Sequence, residues 1–339
     1  VIMNKKQNKI IKSKRKNILV IAGAGCGKTY TIVKKVNYLV NNLNIDPKEI
    51  LCISFTNEAV NKLKNDINNK NIEVLTFHKL GLKIIGKNKE ILGEDMLSHI
   101  VLDTFNNDVL LGLYKMDKNI MCNLITTFIN LFKSSNYKLE DFYKMINKAD
   151  RNDKLLLKEI MKCYICYESY LSKENLIDFN DMINISISNV KNIKLNYKYI
   201  IIDEYQDTSY TKYLLIKELI KITNAKLFTV GDDFQSIYRF AGSNIKLFTK
   251  FKYYFPFSKI YKLDKTYRNS KELVKVAGKF IMKNPYQIRK KLNSDISVNN
   301  PIIIVYYDDL TKSIKNVIRK DKINNLLILA RNNNTLNNI

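Results

Sequence analysis

Histidine occurs only twice in the 339 residues, at His78 and His99, and cysteine five times, at Cys26, Cys52, Cys122, Cys163 and Cys166. That is too few ligands, too widely spaced, for a zinc framework. Cys163 and Cys166 form a lone CxxC. It lies among Leu155, Leu156, Leu157, Ile160, Met161 and Ile165, whose helical spacing reads as buried helix rather than as a metal or disulfide site. No apolar run approaches the roughly 20 residues that span a bilayer, and no signal peptide opens the chain. The expectation is a reduced, intracellular protein with no membrane partner. Tryptophan is absent and proline occurs four times, with no Pro- or Ser-rich linker and no internal repeat to mark domain boundaries. Glycine is scarce as well, yet three of the ten glycines, Gly23, Gly25 and Gly27, fall within five positions.

What the chain has in excess is positive charge. Lys plus Arg number 57 against 32 acidic residues, a net charge of +25. An imbalance of that size suits a polyanionic partner, of which nucleic acid is the commonest. Most of the surplus is lysine, so an arginine at a motif position points to a need for a planar, bidentate guanidinium. The chain is 46% hydrophobic and 26% charged, enough for a sizeable core, and its length suggests at least two lobes.

The crowded glycines follow an apolar strand pattern over residues 17 to 22 and precede a helix opening near Lys28. The stretch Ala22-Gly23-Ala24-Gly25-Cys26-Gly27-Lys28-Thr29 fits a phosphate-binding loop in which Ala22 replaces the first glycine. Gly25 and Gly27 let backbone N–H groups face phosphate oxygens, Lys28 reaches the β- and γ-phosphates, and Thr29 ligates Mg²⁺. Such a loop predicts a second strand ending in carboxylates. Tyr199-Ile200-Ile201-Ile202 supplies it, with Asp203 placed to hold Mg²⁺ and Glu204 to polarise the attacking water. Further strand patterns cover Ile50 to Phe55, Val74 to Phe77, Lys226 to Val230, Ile302 to Tyr306 and Leu326 to Leu329. Helical patterns lie between them, and residues 90 to 195 read as almost wholly helical. Alternation of this kind indicates a parallel α/β sheet.

At Asp203-Glu204-Tyr205-Gln206-Asp207-Thr208 the chain resembles the superfamily 1 helicases of the UvrD/Rep type. Further resemblances follow in chain order. Asn4 to Gln7 is similar to the family's glutamine motif, Ser54-Phe55-Thr56-Asn57-Glu58-Ala59 to its TFTNKA, and Thr76-Phe77-His78 to its TFH. Asp178 to Asp181, Val230 to Phe240, and Leu263 through Thr266-Tyr267-Arg268-Asn269-Ser270 resemble three later motifs. The segments Leu75 to Gly86 and Tyr238 to Ile245 resemble the helicase IV-like branch. Ala241 stands where UvrD and Rep carry an arginine, so no coupling role passes to it.

The resemblance implies a P-loop NTPase, RecA-like α/β fold with an inserted helical subdomain and the beginning of a second RecA-like lobe. The expected boundaries are 1–89 and 197–262 for the first lobe, 90–196 for the insertion and 263–339 for the start of the second. It implies an ATP-dependent DNA helicase, 3′ to 5′ in direction, using ATP and Mg²⁺ on single-stranded DNA and single/double-strand junctions, as repair and replication helicases do. Catalytic roles fall to Lys28, Glu204, Gln235 as γ-phosphate contact, and Arg268 as arginine finger. ATP would be held by Ala22 to Tyr30, Gln7 on the adenine edge and Tyr267 stacked on its face; Cys26 is a small loop residue, commonly serine in the family. Phe55, Phe179, Tyr238 and Phe240 would stack on DNA bases, with Thr56, Asn57 and His78 supplying polar contacts. The family's last motor motifs are not found, and the first residue is Val1, so the chain is expected to be truncated. The competing expectation is a nucleotide-dependent DNA-binding or regulatory module without unwinding activity.

Overall fold

The strand at residues 17 to 22 is apolar without alternation, as a parallel strand covered on both faces should be. In the computed structural model, which describes residues 4–86, 90–93, 95–320 and 326–337, every residue of β1 (Asn17–Ala22) is buried. It is followed by β2 (Ile50–Ser54), β3 (Glu73–Thr76), β4 (Glu90–Ile91), β5 (Leu176–Ile177), β6 (Tyr199–Ile202), β7 (Lys226–Gly231) and β8 (Lys259–Leu263). Six of these form one parallel sheet in the order β3-β2-β6-β7-β1-β8, while β4 and β5 pair separately.

Alternate residues serve two different cores. Leu19, Ile21, Leu51, Ile53, Ile200 and Ile202 pack with Leu80, Leu215, Leu219 and Phe248 on one face. Ile18, Val20, Ile50, Cys52, Ile201 and Phe228 pack with Ile32, Val36 and Leu63 on the other. The helices Lys28–Leu43 and Asn57–Ile67 therefore cover one side, and Phe77–Ile85 and Tyr210–Thr223 the other. With helices on both faces, the carboxyl ends of β1, β6 and β7 are left free to carry function.

Between β3 and β6 lies a helical block with its own core, including Val101, Phe105, Ile125, Phe132, Phe142 and Ile160. The rings of Phe132 and Phe142 are 4.0 Å apart. Its last helix, Phe179–Asn189, returns to the sheet lobe, where Ser186 Oγ donates to the Gly81 carbonyl at 3.2 Å. The start of that helix is fixed by one buried cation. Lys133 Nζ lies 2.5 Å from Glu168, 2.8 Å from Asp178 and 2.9 Å from Asp181. Three carboxylates outweigh the cost of burying it, and they hold its ammonium well above the usual lysine range.

Two strand expectations are revised, and so is the expected burial of Cys166. Residues 302–306 and 326–329 form no strand and pair with nothing among the described residues, and Ile304 and Leu329 are 74% and 83% exposed. A strand exists only through a neighbour, and apolar content alone supplies none. The CxxC lies on the helix Arg151–Lys173, with Cys163 buried but Cys166 exposed. Among the described residues no helix is long and apolar enough to cross a membrane.

Replacing Lys133 by methionine strands three carboxylates around an apolar tip. We expect Lys133→Met to cost about 3–5 kcal/mol of stability in urea denaturation. A loss below about 1 kcal/mol would remove this cluster from the framework of the helical block.

Candidate functional site

β1 ends at Ala22 and the next helix begins at Lys28, so the chain must turn sharply in between. Gly25 and Gly27 adopt φ of +72° and +79°, a left-handed region that other residues reach only with strain. The helix Lys28–Leu43 has no side-chain cap at Gly27, so its first amides remain free donors, oriented for an anion. Cys26 is buried within the turn, and burial, reinforced by Asp232, pushes its thiol up to about 11. It is packing, not a nucleophile.

Two strands away in the sheet, β6 delivers Asp203 and Glu204. Asp203 donates its amide to the Ile53 carbonyl at 2.9 Å and accepts the Glu204 amide on its carboxylate at 2.9 Å. Burial, with the adjacent Glu204 charge, pushes Asp203 up to about 6, against the pull of Lys28. Glu204 has φ +48° and its carboxylate meets Lys28 Nζ at 2.5 Å. Lys28 Nζ also approaches Gln235 Oε1 at 3.5 Å, at the long edge of a hydrogen bond. Gln235 in turn donates Nε2 to Asp232 at 2.7 Å.

Thr29 lies half-buried in the first turn of the same helix. The Thr29 hydroxyl and the half-buried Asp203 carboxylate, whose neighbouring lysine is taken by Glu204, are hard oxygen donors of the kind that suits Mg²⁺. Among the described residues no cluster of three or more His, Cys, Asp or Glu could hold an ion unaided. Mg²⁺ fits that pattern, since it uses one or two protein oxygens and completes its shell with phosphates and water.

The segment after β8 closes the loop from the other side. Thr266 Oγ1 donates to the Ala24 carbonyl at 2.8 Å, and the Tyr267 amide to the Gly25 carbonyl at 2.9 Å. A Cβ on Gly25 would lie 2.5 Å from Arg268 Cβ and 2.6 Å from Thr266 Oγ1, so nothing larger than glycine fits. Tyr267 and Arg268 are exposed beside the loop, and among the described residues the Arg268 guanidinium has no ion-pair partner. Gln7 is buried against Gly27 and accepts the Asn4 amide at 3.1 Å in a capping box. Tyr30 stands on the helix face one residue beyond Thr29, with Lys34 Nζ 5.6 Å from its ring.

A second group of residues lies beyond the carboxyl ends of β2, β3 and β7. Phe55 and Tyr238 have ring centroids 5.2 Å apart, and Tyr238 and Phe240 6.0 Å. Phe240 is 70% exposed. His78 meets Phe179 edge-on at 5.3 Å. Thr56 caps the helix Asn57–Ile67 through the Ala59 amide at 3.1 Å, leaving exposed Asn57 as its first residue. Phe77, by contrast, is core. The structure thus gathers Phe55, Tyr238 and Phe240 in one cluster, and His78 with Phe179 in another.

The UvrD/REP helicase N-terminal domain family matches residues 3–256. The chain belongs to the UvrD/REP helicase family. It is 32% identical to the ATP-dependent DNA helicase Rep of Buchnera aphidicola subsp. Acyrthosiphon pisum (strain APS), over 93% of this chain and 52% of that protein. Rep of Escherichia coli (strain K12) is 29% identical over 82% of this chain and 43% of its own length. The ATP-dependent DNA helicase PcrA of Leuconostoc citreum is 28% identical, over 86% and 40%. The chain therefore spans about half the length of the curated relatives it matches.

Within this UvrD/REP helicase domain, three side chains of the site went unassigned in the sequence reading. Gln206 Nε2 donates to Glu204 and to Asp207, each at 3.0 Å, while its Oε1 accepts the Asp232 amide at 2.9 Å. Its place between two acids in the motif was the available signal. Thr266 has the loop contacts given above, which no local pattern announces. Lys212 Nζ lies 4.8 Å from the Phe55 ring and 5.5 Å from that of Phe77, within cation–π range of both. Burial lowers its ammonium to about 8.

His78 offers a test of this wall. Burial, and then the nearby Lys212 charge, pulls its imidazole down to about 4, so the folded protein holds it neutral. The stabilisation is complete above the unfolded value near 6.5 and is lost as pH falls toward 4. His78→Asn should therefore flatten the stability profile between pH 6.5 and 4 relative to the parent. Parallel profiles in chemical denaturation would show an exposed ring.

Proposed function

We propose that this chain carries the ATP-binding lobe of a DNA-stimulated ATPase that moves 3′ to 5′ along single-stranded DNA and opens duplexes at single/double-strand junctions. The observation that supports this best is the position of Lys28, whose ammonium lies between Glu204 and Gln235 at the head of the glycine loop. Lys28 exchanges its carboxylate partner for the β- and γ-phosphate oxygens as ATP enters. Glu204 is then free to take a proton from water as its oxygen bonds the γ-phosphorus and the bond to the ADP oxygen breaks. Gln235 contacts the γ-phosphate. Arg268, exposed and unpaired among the described residues, neutralises the charge that develops, a contribution of about 10³-fold or more in NTPases. Gln7 and Tyr267 hold the adenine by its edge and face. Thr29 and Asp203 would hold Mg²⁺, which supplies charge neutralisation at the phosphates.

The aromatic group supplies the DNA contact. Phe55, Tyr238, Phe240 and Phe179 stack on bases, each worth about 1–3 kcal/mol, without sequence preference. Asn57, Thr56 and His78 line the same wall. The lobes are assigned as 1–89 with 197–262 for ATP, 90–196 for the helical insertion and 263–339 for the start of a second RecA-like lobe. The setting is intracellular, where the net charge of +25 favours DNA at low salt.

Lys28→Ala should abolish ATP binding, and Glu204→Gln should bind ATP yet lose about 10²–10⁴-fold in DNA-stimulated turnover. Both should keep single-stranded DNA affinity, measured by fluorescence anisotropy. Full turnover by the Glu204→Gln protein would reject the assignment. Nucleotide-dependent DNA binding with no stimulated turnover in the parent would replace the motor by a regulatory module.

A further inference from the structure

Two consecutive acids, Asp232 and Asp233, are 1% and 0% exposed, and the proposed mechanism uses neither of them. Adjacent buried carboxylates repel, and without a cation one of them would take up a proton or turn toward solvent. The cation is Lys290, whose side chain is 4% exposed. Its ammonium pairs with Asp232 Oδ1, lies 2.5 Å from Asp233 Oδ1, and sits 3.8 Å from the centroid of the Phe234 ring.

Lys290 belongs to residues 283–298, which follow the helix Lys271–Ile281 without helix or strand of their own. This segment is laid across the nucleotide loop. The Ile288 amide donates to Asp233 Oδ2 at 2.7 Å, and Lys262 Nζ to the Arg289 carbonyl at 2.9 Å. Leu292 packs directly on Gly23, where a Cβ would lie 2.5 Å from its Cδ1. Asn293 accepts the Thr266 amide at 2.8 Å and donates its own to the Asp264 carbonyl at 2.7 Å.

The consequence is felt at Gln235. Asp232 Oδ1 takes Lys290 and the Phe234 amide at 3.1 Å, which fixes the carboxylate plane. The other oxygen, Oδ2, is then aimed at Gln235 Nε2, 2.7 Å away. With one N–H held there, Gln235 must turn its carbonyl oxygen toward Lys28, 3.5 Å away, which leaves the second N–H as the donor for a γ-phosphate oxygen. Each step alternates donor and acceptor, so the orientation of the Gln235 amide is dictated from Lys290.

We propose that Lys290 is a positioning residue for Gln235, through which residues 283–298 set the ability of the site to tell a nucleoside triphosphate from a diphosphate. The inference rests on the reading of Lys28 and Gln235 as phosphate contacts. A lysine acting only as structural glue would weaken both nucleotides together. A positioning residue acts on the triphosphate alone, because ADP has no γ-phosphate for Gln235 to meet.

The test is titration calorimetry of the full chain with Mg²⁺ and either ADP or a non-hydrolysable ATP analogue, for the parent, Lys290→Met, Lys290→Arg and Gln235→Ala. Lys290→Met should lose about tenfold of its preference for the triphosphate, the scale of one hydrogen bond to a charged group, with ADP affinity held. Lys290→Arg should recover part of it. Combining Lys290→Met with Gln235→Ala should lose no more than either alone. If Lys290→Met does not fold, Lys290→Met/Asp233→Asn removes one of the two stranded charges, and the same loss is expected of it. Unchanged preference in a folded variant, or equal weakening of both nucleotides, overturns the positioning role while leaving the site intact. A parent chain that binds neither nucleotide overturns the site and this inference together.

Discussion

The parallel register that sets Ile21 against Gly231 and Ile202 against Thr229 brings three strand ends to one level of the sheet. Lys28 follows the first of these strands, Glu204 the second and Gln235 the third. One ammonium can reach both a carboxylate and an amide because β7 lies between β1 and β6, with every strand running the same way. A slip of one residue in either pairing would turn the inward side chains of a whole strand to the opposite core. Two separate apolar clusters, one on each face, oppose such a slip. Chemistry at the sheet edge thus depends on packing several ångströms below it.

The same constraint explains why phosphate and base contacts occur so close together in the chain. Gln235 and Tyr238 are three residues apart, on short 3-10 turns that follow β7. Gln235 points back to Lys28, while Tyr238 pairs with Phe55 at the end of β2. A shift at one end of this loop has little slack in which to dissipate before it reaches the other. Lys212 adds a similar link, since it lies under Phe55 and its charge is felt at both Asp207 and His78.

Local patterns made much of this legible. The unbroken apolar runs before Ala22 and Asp203 could only be buried strands, and the glycine spacing could only be a turn around something close. Lys28, Glu204 and Gln235 were each nameable from motif position, and they lie together in the folded chain. What stayed hidden depends on distant partners. Thr266 and Lys290 bind the loop and its neighbours from 242 and 58 residues away in sequence, and although Thr266 falls within a motif, no local pattern names either partner. The strand patterns at residues 302–306 and 326–329 misled for the converse reason, because a short apolar run describes a surface in need of a neighbour and cannot provide one. Thr56 adds a role that the motif position did not name, since its hydroxyl caps the next helix.

Glu204 carries a backbone cost as well as a charge. At φ +48° it holds a conformation that glycine or asparagine adopts with far less strain, an expense of order 1 kcal/mol or more. Selection for thermal tolerance alone would therefore drift this position away from glutamate. A library of this chain enriched only by survival on heating should be expected to accumulate well-folded, inert members, unless turnover is scored at the same time.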